Sequence, residues 1–361
     1  MTFLPDETVG RLRDVAAQPI LPAGRYTLAR TLGRGGMGTV YAARDELLGR
    51  DVAIKVSNAP APDSQLEARL RREAGVLARL EHPGIVPVHD AGQLDDGRLF
   101  NVMKLVRGST LAEHAARLDS ETRALPVFER VAETVAFAHA AGVVHRDLKP
   151  SNVMIGSFGE VLVLDWGVAK HTAGATSPAA QDFSPASSVG ARDFSPASSV
   201  VARDFSPASG SLAGATADGT RIGTPGFMAP EQARGDAAGV GPPADVYGLG
   251  ALLFWMLTHH TPPAGADDAA AGLRAAHPPV PKRLAAIIRK CLAPDPAARY
   301  PDAGSLAADL DRYRAGQAVS AHRETVFDRA ERWFTTYRTA ILLVAAYLLM
   351  RTVFALSQRW R

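Results

Sequence analysis

The sequence predicts an α+β chain of two lobes, a small sheet-rich one with one helix and a larger helical one, followed by an apolar C-terminal helix. Three observations predict it. Short β-branched and aromatic runs crowd the part of the chain before Gly108. After Gly108 the apolar spacing lengthens to that of helices. Near the end, Ala340–Met350 is uncharged and largely apolar. With 361 residues, 47% hydrophobic and 21% charged, the chain has room for two lobes plus tails and should fold over most of its length.

Residues 1–24 carry Pro5, Pro19, Pro22 and Gly24 and read as a loose leader. Met1–Asp6 has no basic flank and no apolar stretch after it, so no signal peptide is expected. Strand-like alternation starts at Tyr26–Leu28 and resumes at Thr39–Tyr41, and Val52–Val56 follows a turn near Gly49. Leu66, Leu70, Glu73, Leu77 and Leu80 fall near one face of a helix over about 64–80, which His82-Pro83-Gly84 stops. Strands near Val86–Asp90 and Leu99–Leu105 complete the small lobe, residues 25–106. The larger lobe, 107–314, holds helices expected at 110–118, 125–141, 244–258, 281–292 and 302–313.

Two regions break this pattern. Residues 171–219 are dominated by Ala, Ser, Gly, Thr, Pro and Asp, a composition unable to bury much apolar surface. Asp182-Phe183-Ser184-Pro185-Ala186-Ser187-Ser188-Val189 recurs from Asp193 and, imperfectly, from Asp204. The repeat is too short for a solenoid unit and reads as a disordered, duplicated insertion. Its Ser184, Ser195 and Ser206 are modification candidates, or filler. The other region is the C-terminus, where residues 315–338 form a basic segment before a helix expected over 339–357. A spanning helix needs about 17–25 mainly apolar residues, and Thr339–Ser357 supplies nineteen only with Arg351 inside. A transmembrane helix is expected, with an amphipathic helix on a bilayer or a partner as the alternative. With Arg361 closing the sequence, a membrane-bound form would take its signal from a partner, from dimerisation or from the bilayer.

The net charge of +3 is uneven. From Arg312 to Arg361 nine Arg face Glu324, Asp328 and Glu331, a local +6, so the preceding residues sum to −3. The body is not basic, which argues against nucleic-acid binding. Cys291 is the single cysteine, which excludes an internal disulfide, points to a reducing compartment and fits a core position within Ala285–Leu292.

The chemistry concentrates in His145-Arg146-Asp147-Leu148-Lys149-Pro150-Ser151-Asn152. An acid that can accept a hydroxyl proton, a lysine that can meet phosphate charge and an amide that can hold a metal lie within six residues, a set suited to phosphoryl transfer. Upstream, Gly33-Arg34-Gly35-Gly36-Met37-Gly38-Thr39-Val40 lies between two strand candidates, where missing side chains let the backbone approach phosphate oxygens. Alone such glycines only mark a turn. Val52-Ala53-Ile54-Lys55 and Asp165-Trp166-Gly167, which ends the apolar run Val161–Leu164, follow in order.

Together these motifs resemble the bacterial eukaryotic-like (Hanks-type) serine/threonine protein kinases, over about residues 26–313. The resemblance implies the two-lobed protein kinase fold and ATP with Mg²⁺, for which Mn²⁺ can substitute. The nucleotide would meet Leu32, Gly33, Arg34, Gly35, Gly36, Met37, Gly38, Val40, Ala53 and Lys55, with Met103, Lys104 and Val106 at the gatekeeper and hinge. Lys55 would contact the α/β-phosphates and pair with Glu73, Glu67 being the competitor. Asp147 would be the base, Lys149 would meet the transferring phosphate, and Asn152 and Asp165 would bind the metals. Trp166 departs from the family's usual Phe and implies an altered back pocket.

By the same resemblance, Gly223–Glu231 closes the activation segment, Glu231 pairs with Arg299, and Asp245 braces the catalytic-loop backbone. Lys149 and Thr224 are the Ser/Thr-type choices. Arg146 beside Asp147 implies control by loop phosphorylation, with Thr216 and Thr220 as candidates. The segment from Asp165 to Glu231 has 67 residues, and its insertion is expected to regulate access or offer autophosphorylation sites. Protein Ser/Thr substrates, a homodimer for trans-autophosphorylation and membrane lipid are the expected partners. The expected location is the cytoplasm, anchored at the inner membrane. A pseudokinase scaffold is the alternative, but such proteins lack the lysine, the base or the metal aspartate, all present here. A small-molecule kinase is disfavoured by Gly223–Glu231 and Arg299.

Overall fold

The computed structural model describes residues 19–21, 24–35, 38–60, 80–118, 120–166, 170–171, 226–235, 240–263, 266–276, 279–322 and 338–359. Predictions that fall elsewhere, among them the helix over 64–80 and the repeats, lie outside the described residues.

Five antiparallel strands form the first sheet: β1 (Tyr26–Gly35), β2 (Gly38–Asp45), β3 (Arg50–Pro60), β4 (Val88–Gln93) and β5 (Arg98–Lys104), in the order β1-β2-β3-β5-β4. Strand β3 is central, with Lys55 opposite Val40 on β2 and Asn101 on β5. Side chains alternate across a strand, and Val52, Ile54 and Val56 enter a buried cluster with Tyr26, Tyr41, Phe100 and Val102. Lys55, between them in sequence, therefore stands on the opposite face. At Gly38 a Cβ would lie 2.3 Å from the Val56 carbonyl oxygen, so no larger residue fits where β2 leaves the hairpin tip.

The second body begins with β6 (Gly108–Thr110) and α1 (Leu111–His114), which Thr110 and Glu113 cap reciprocally. It continues through α2 (Glu121–Ala140), β7 (Val143–Val144), β8 (Val153–Gly156), β9 (Val161–Val163) and β10 (Lys170–His171). Strands β6, β8 and β9 form a small sheet, and β10 pairs with β7. Val163 N–H donates to the Gly84 carbonyl at 2.8 Å, joining β9 to the segment that leads into β4 of the first lobe.

Beyond these lie α3 (Pro230–Ala233), α4 (Pro242–Thr258), α5 (Ala266–Ala275), α6 (Lys282–Cys291) and α7 (Ala303–Arg314). Helix α4 is apolar all round, and residues 244–254 are all buried, as expected for a central helix. Gly250 lets α6 approach it, since a Cβ there would fall 2.4 Å from the Cβ of Cys291. Cys291 is a free, buried core residue, as its sequence pattern suggested, and burial pushes its thiol pKa well up. Helix α5 was not foreseen: its run of Ala and Asp carries few large apolar residues, and among its described side chains Ala269, Ala270 and Leu273 are buried.

The chain after α7 is strapped back onto it. Asp309, fully buried, accepts from Tyr300 Oη at 2.7 Å, from Ser320 N and Oγ at 2.7 and 2.9 Å, and from Ala321 N at 3.2 Å. Val319 is buried beside this clamp. Helix α8 (Arg338–Arg359) follows, and Leu342, Leu343, Val344 and Tyr347 on it are exposed.

The expected transmembrane span is not supported: among the described residues no helix is long and apolar enough to cross a membrane. The charges of α8 supply the reason. Its uncharged run between Arg338 and Arg351 is twelve residues, about 18 Å at 1.5 Å per residue, against about 30 Å of hydrocarbon.

Candidate active site

The central segment follows α2 through a turn at Gly142 and the buried pair Val143–Val144. His145 is fully buried and sets the local geometry. Its Nδ1 accepts from Asp147 N–H at 3.2 Å, so Nε2 carries the proton that goes to the Leu164 carbonyl at 2.8 Å. The imidazole thus joins the segment around Asp147 to the strand end that delivers Asp165. Trp166 closes the same corner. Its ring lies 4.6 Å from that of His145, and its indole N–H donates to the Val163 carbonyl at 3.1 Å, a bond that a phenyl ring cannot make.

Asp147 is buried, with the ammonium of Lys149 2.7 Å from its Oδ2. Asn152, also buried, donates its Nδ2 to that Oδ2 at 3.0 Å and to the Asp147 carbonyl at 2.8 Å. The amide nitrogen is committed to Asp147, leaving the amide oxygen as the atom Asn152 can offer a cation.

Asp165 has a left-handed backbone, φ 60°, and its Oδ1 pairs with Lys55 Nζ across the two lobes. Burial opposes its ionisation, yet the Lys55 ammonium and its hydrogen bond hold the carboxyl below the usual aspartate range. The predicted partner Glu73 lies outside the described residues. Carboxylate and amide oxygens are hard donors of the kind Mg²⁺ takes, so Asp165 and Asn152 fit a divalent cation.

On the nucleotide side, Ala53 is buried opposite Met103, and Lys104 N–H donates to the Pro87 carbonyl at 3.1 Å. Val106 is half-buried and Leu32 exposed, as are Gly33, Arg34 and Gly35 at the end of β1. Asn58 Nδ2 donates to the Gly35 carbonyl at 2.8 Å. Val40 is half-buried. Gly36, Met37, Thr216 and Thr220 lie outside the described residues.

Two expected braces are present. Asp245, fully buried, accepts His145 N–H at 2.7 Å on Oδ2 and Arg146 N–H at 2.7 Å on Oδ1. Burial would raise its pKa, but the hydrogen bonds it accepts from His139 and the Arg146 backbone hold it below the usual range. Arg299 spends all five N–H donors: two on Glu231 at 2.7 and 2.9 Å, the others on the carbonyls of Pro243, Ala293 and Pro294. That completeness lets a guanidinium be buried.

Sequence reading missed two groups here. His139 donates Nε2–H to Asp245 Oδ2 at 2.9 Å while its Nδ1 accepts from Ala303 N–H at 3.1 Å, tying α2 and α7 to the brace. Gln232 donates to the Arg146 carbonyl at 2.8 Å. A polar residue six positions before His145 on an otherwise apolar face was the available signal for the first. Adjacency to Glu231 was the only one for the second.

Known proteins match this arrangement. The protein kinase domain family matches residues 26–208. Serine/threonine-protein kinase PknD of Chlamydia caviae is 33% identical over 316 residues, covering 81% of this chain and 31% of PknD. PknB of Mycolicibacterium smegmatis is 34% identical over 324 residues, covering 85% of this chain and 45% of its own length. The chain therefore spans less than half the length of these curated relatives. The crystal structure of the Mycobacterium tuberculosis PknI kinase domain superposes with a TM-score of 0.57 at 26% identity, covering 82% of this chain and 98% of that domain. With the fold, the interlobe Lys55–Asp165 pair and these matches agreeing, the chain belongs to the protein kinase family, alongside the bacterial Hanks-type serine/threonine kinases.

Proposed function

We propose that this chain is a serine/threonine protein kinase that transfers the γ-phosphate of ATP to Ser and Thr hydroxyls of proteins. The observation that carries the reading is the cluster of Asp147, Lys149 and Asn152 facing a lysine–aspartate pair that joins the lobes.

Asp147 accepts the proton of the attacking hydroxyl and orients its oxygen toward phosphorus. Its lysine neighbour, 2.7 Å from Oδ2, meets charge on the transferring phosphoryl group. Lys55 holds the α/β-phosphates, and glycine backbone N–H groups at the β1–β2 tip cover them. A divalent cation, Mg²⁺ or Mn²⁺, would be held by Asp165 and Asn152 and would supply charge neutralisation between the β- and γ-phosphates. Positioning and electrostatics of this kind support turnover of about 1–100 s⁻¹ in the family.

Thr216 and Thr220 are the proposed autophosphorylation sites, exchanged between two copies of the chain, with Arg146 receiving the added charge. ATP use and the single buried cysteine favour a cytoplasmic catalytic domain. The exposed apolar residues of α8, bounded by Arg338 and Arg359, favour an interfacial contact with lipid.

The test is transfer from labelled ATP with Mg²⁺ by wild type and by Asp147→Asn, with mapping of labelled residues. Label on wild-type Ser or Thr is expected, and a loss of about 10²–10⁴-fold in the variant. Equal labelling of both proteins removes Asp147 from the mechanism. None in either, with ATP still bound, returns the scaffold reading.

A further inference from the structure

Arg146, immediately before the base, has a φ of 72°. A residue with a Cβ holds that left-handed conformation only where its surroundings fix it. Two groups fix this one. Asp245 takes the Arg146 N–H at 2.7 Å, and Gln232 Nε2 donates to the Arg146 carbonyl at 2.8 Å. The carbonyl belongs to the peptide whose nitrogen is that of Asp147, so Gln232 holds the peptide plane from which the base projects. The other end of the same amide accepts from Ala229 N–H at 3.2 Å. Gln232 itself is anchored by its chain neighbour Glu231, buried in the pair with Arg299.

We propose that Gln232 is a positioning residue for phosphoryl transfer: it orients the Arg146–Asp147 peptide and makes that orientation depend on the 226–235 segment being seated. The proposal rests on the kinase reading of Asp147. The primary amide meets both demands at once, a donor for the Arg146 carbonyl and an acceptor for Ala229 N–H. A glutamate keeps the acceptor and loses the donor. A methionine keeps the length and loses both, without adding charge. Lys55 and Asp165 make no contact with this amide, so nucleotide binding should not register its loss.

The test compares wild type, Gln232→Glu and Gln232→Met in the full chain. Its readouts are kcat and KM for ATP with casein as acceptor, melting temperature, and amide hydrogen exchange over 145–149. The expected result is kcat lower by about tenfold in both variants. ATP KM should stay within twofold, the melting temperature within a few degrees, and exchange over 145–149 should quicken. Wild-type kcat and loop protection in both variants would overturn the proposal. So would a loss confined to Gln232→Glu, because the cause would then be charge. If wild type transfers no phosphate, the kinase reading fails separately. Exchange over 145–149 then still decides whether Gln232 holds the peptide, and unchanged protection overturns it.

Discussion

The two segments that the proposed reaction would bring to the phosphates are held in different ways. The catalytic loop is fastened from beneath by buried groups: Asp245 takes three N–H donors, His145 bridges to Leu164, and Gln232 grips the Arg146 carbonyl. The glycine-bearing end of β1 lies exposed at the edge of its sheet, with an exposed hydrogen bond from Asn58 to Gly35. The difference follows the task. A base must be fixed within a fraction of an ångström of its target, whereas a backbone covering a nucleotide has to admit it and let the product go.

Removing the brace tests this contrast most severely. In Asp245→Ala, the N–H groups of His145, Arg146 and His139 lose their acceptor in a buried site. At about 1–3 kcal/mol for each, the domain loses roughly 3–9 kcal/mol, and its melting temperature should fall by about 10 °C or more. Transfer activity should fall with it in a phosphorylation assay at a temperature where the variant is still folded. A shift of only a degree or two would mean that the loop is held by something other than this carboxylate.

Acid sharpens the same comparison with a smaller effect. The folded pKa of Asp245 lies below its ordinary value. Its stabilisation is therefore complete above the unfolded pKa of about 4 and is lost as pH falls through the lower folded value. Asp245→Asn keeps one acceptor and lacks the titration. The stability gap between wild type and Asp245→Asn, followed by thermal melting, should be widest near neutrality, about 1–3 kcal/mol, and narrow below about pH 4. A gap independent of pH would show that shape, not charge, is what the loop needs.

The fastened region was also the more legible one. Asp147, Lys149 and Asn152 lie within six residues, so their spacing alone gathers them. Glu231 with Arg299, and Asp245 beneath the loop, were readable because each sits in a distinctive local phrase, Ala229-Pro230-Glu231 or Ala244-Asp245-Val246. Gln232 and His139 were not. Each acts on a partner 86 or 106 positions away, and neither periodicity nor local spacing encodes a bond that only the packing of α3 or α4 creates. The expectation that the C-terminal helix spans a membrane failed for a different reason. Composition marked it as apolar, but Arg351 divides it, and length between charges decides whether a helix can span.

The lightest change addresses the glycine-bearing hairpin itself. Asn58 donates to the Gly35 carbonyl at 2.8 Å in an exposed position, where water can take over the donor's role. Its removal in Asn58→Ala should cost about 0.5 kcal/mol, the low end for a neutral hydrogen bond. That corresponds to a rise of about two- to threefold in ATP KM, with kcat and melting temperature nearly unchanged. Steady-state kinetics with varied ATP reads this directly. A tenfold loss in kcat at constant KM would break the contrast, because the hairpin would then be setting the reacting geometry as firmly as the braced loop does. A KM effect alone keeps the two apart: the buried loop fixes where the proton goes, and the exposed hairpin tunes how tightly the nucleotide is covered.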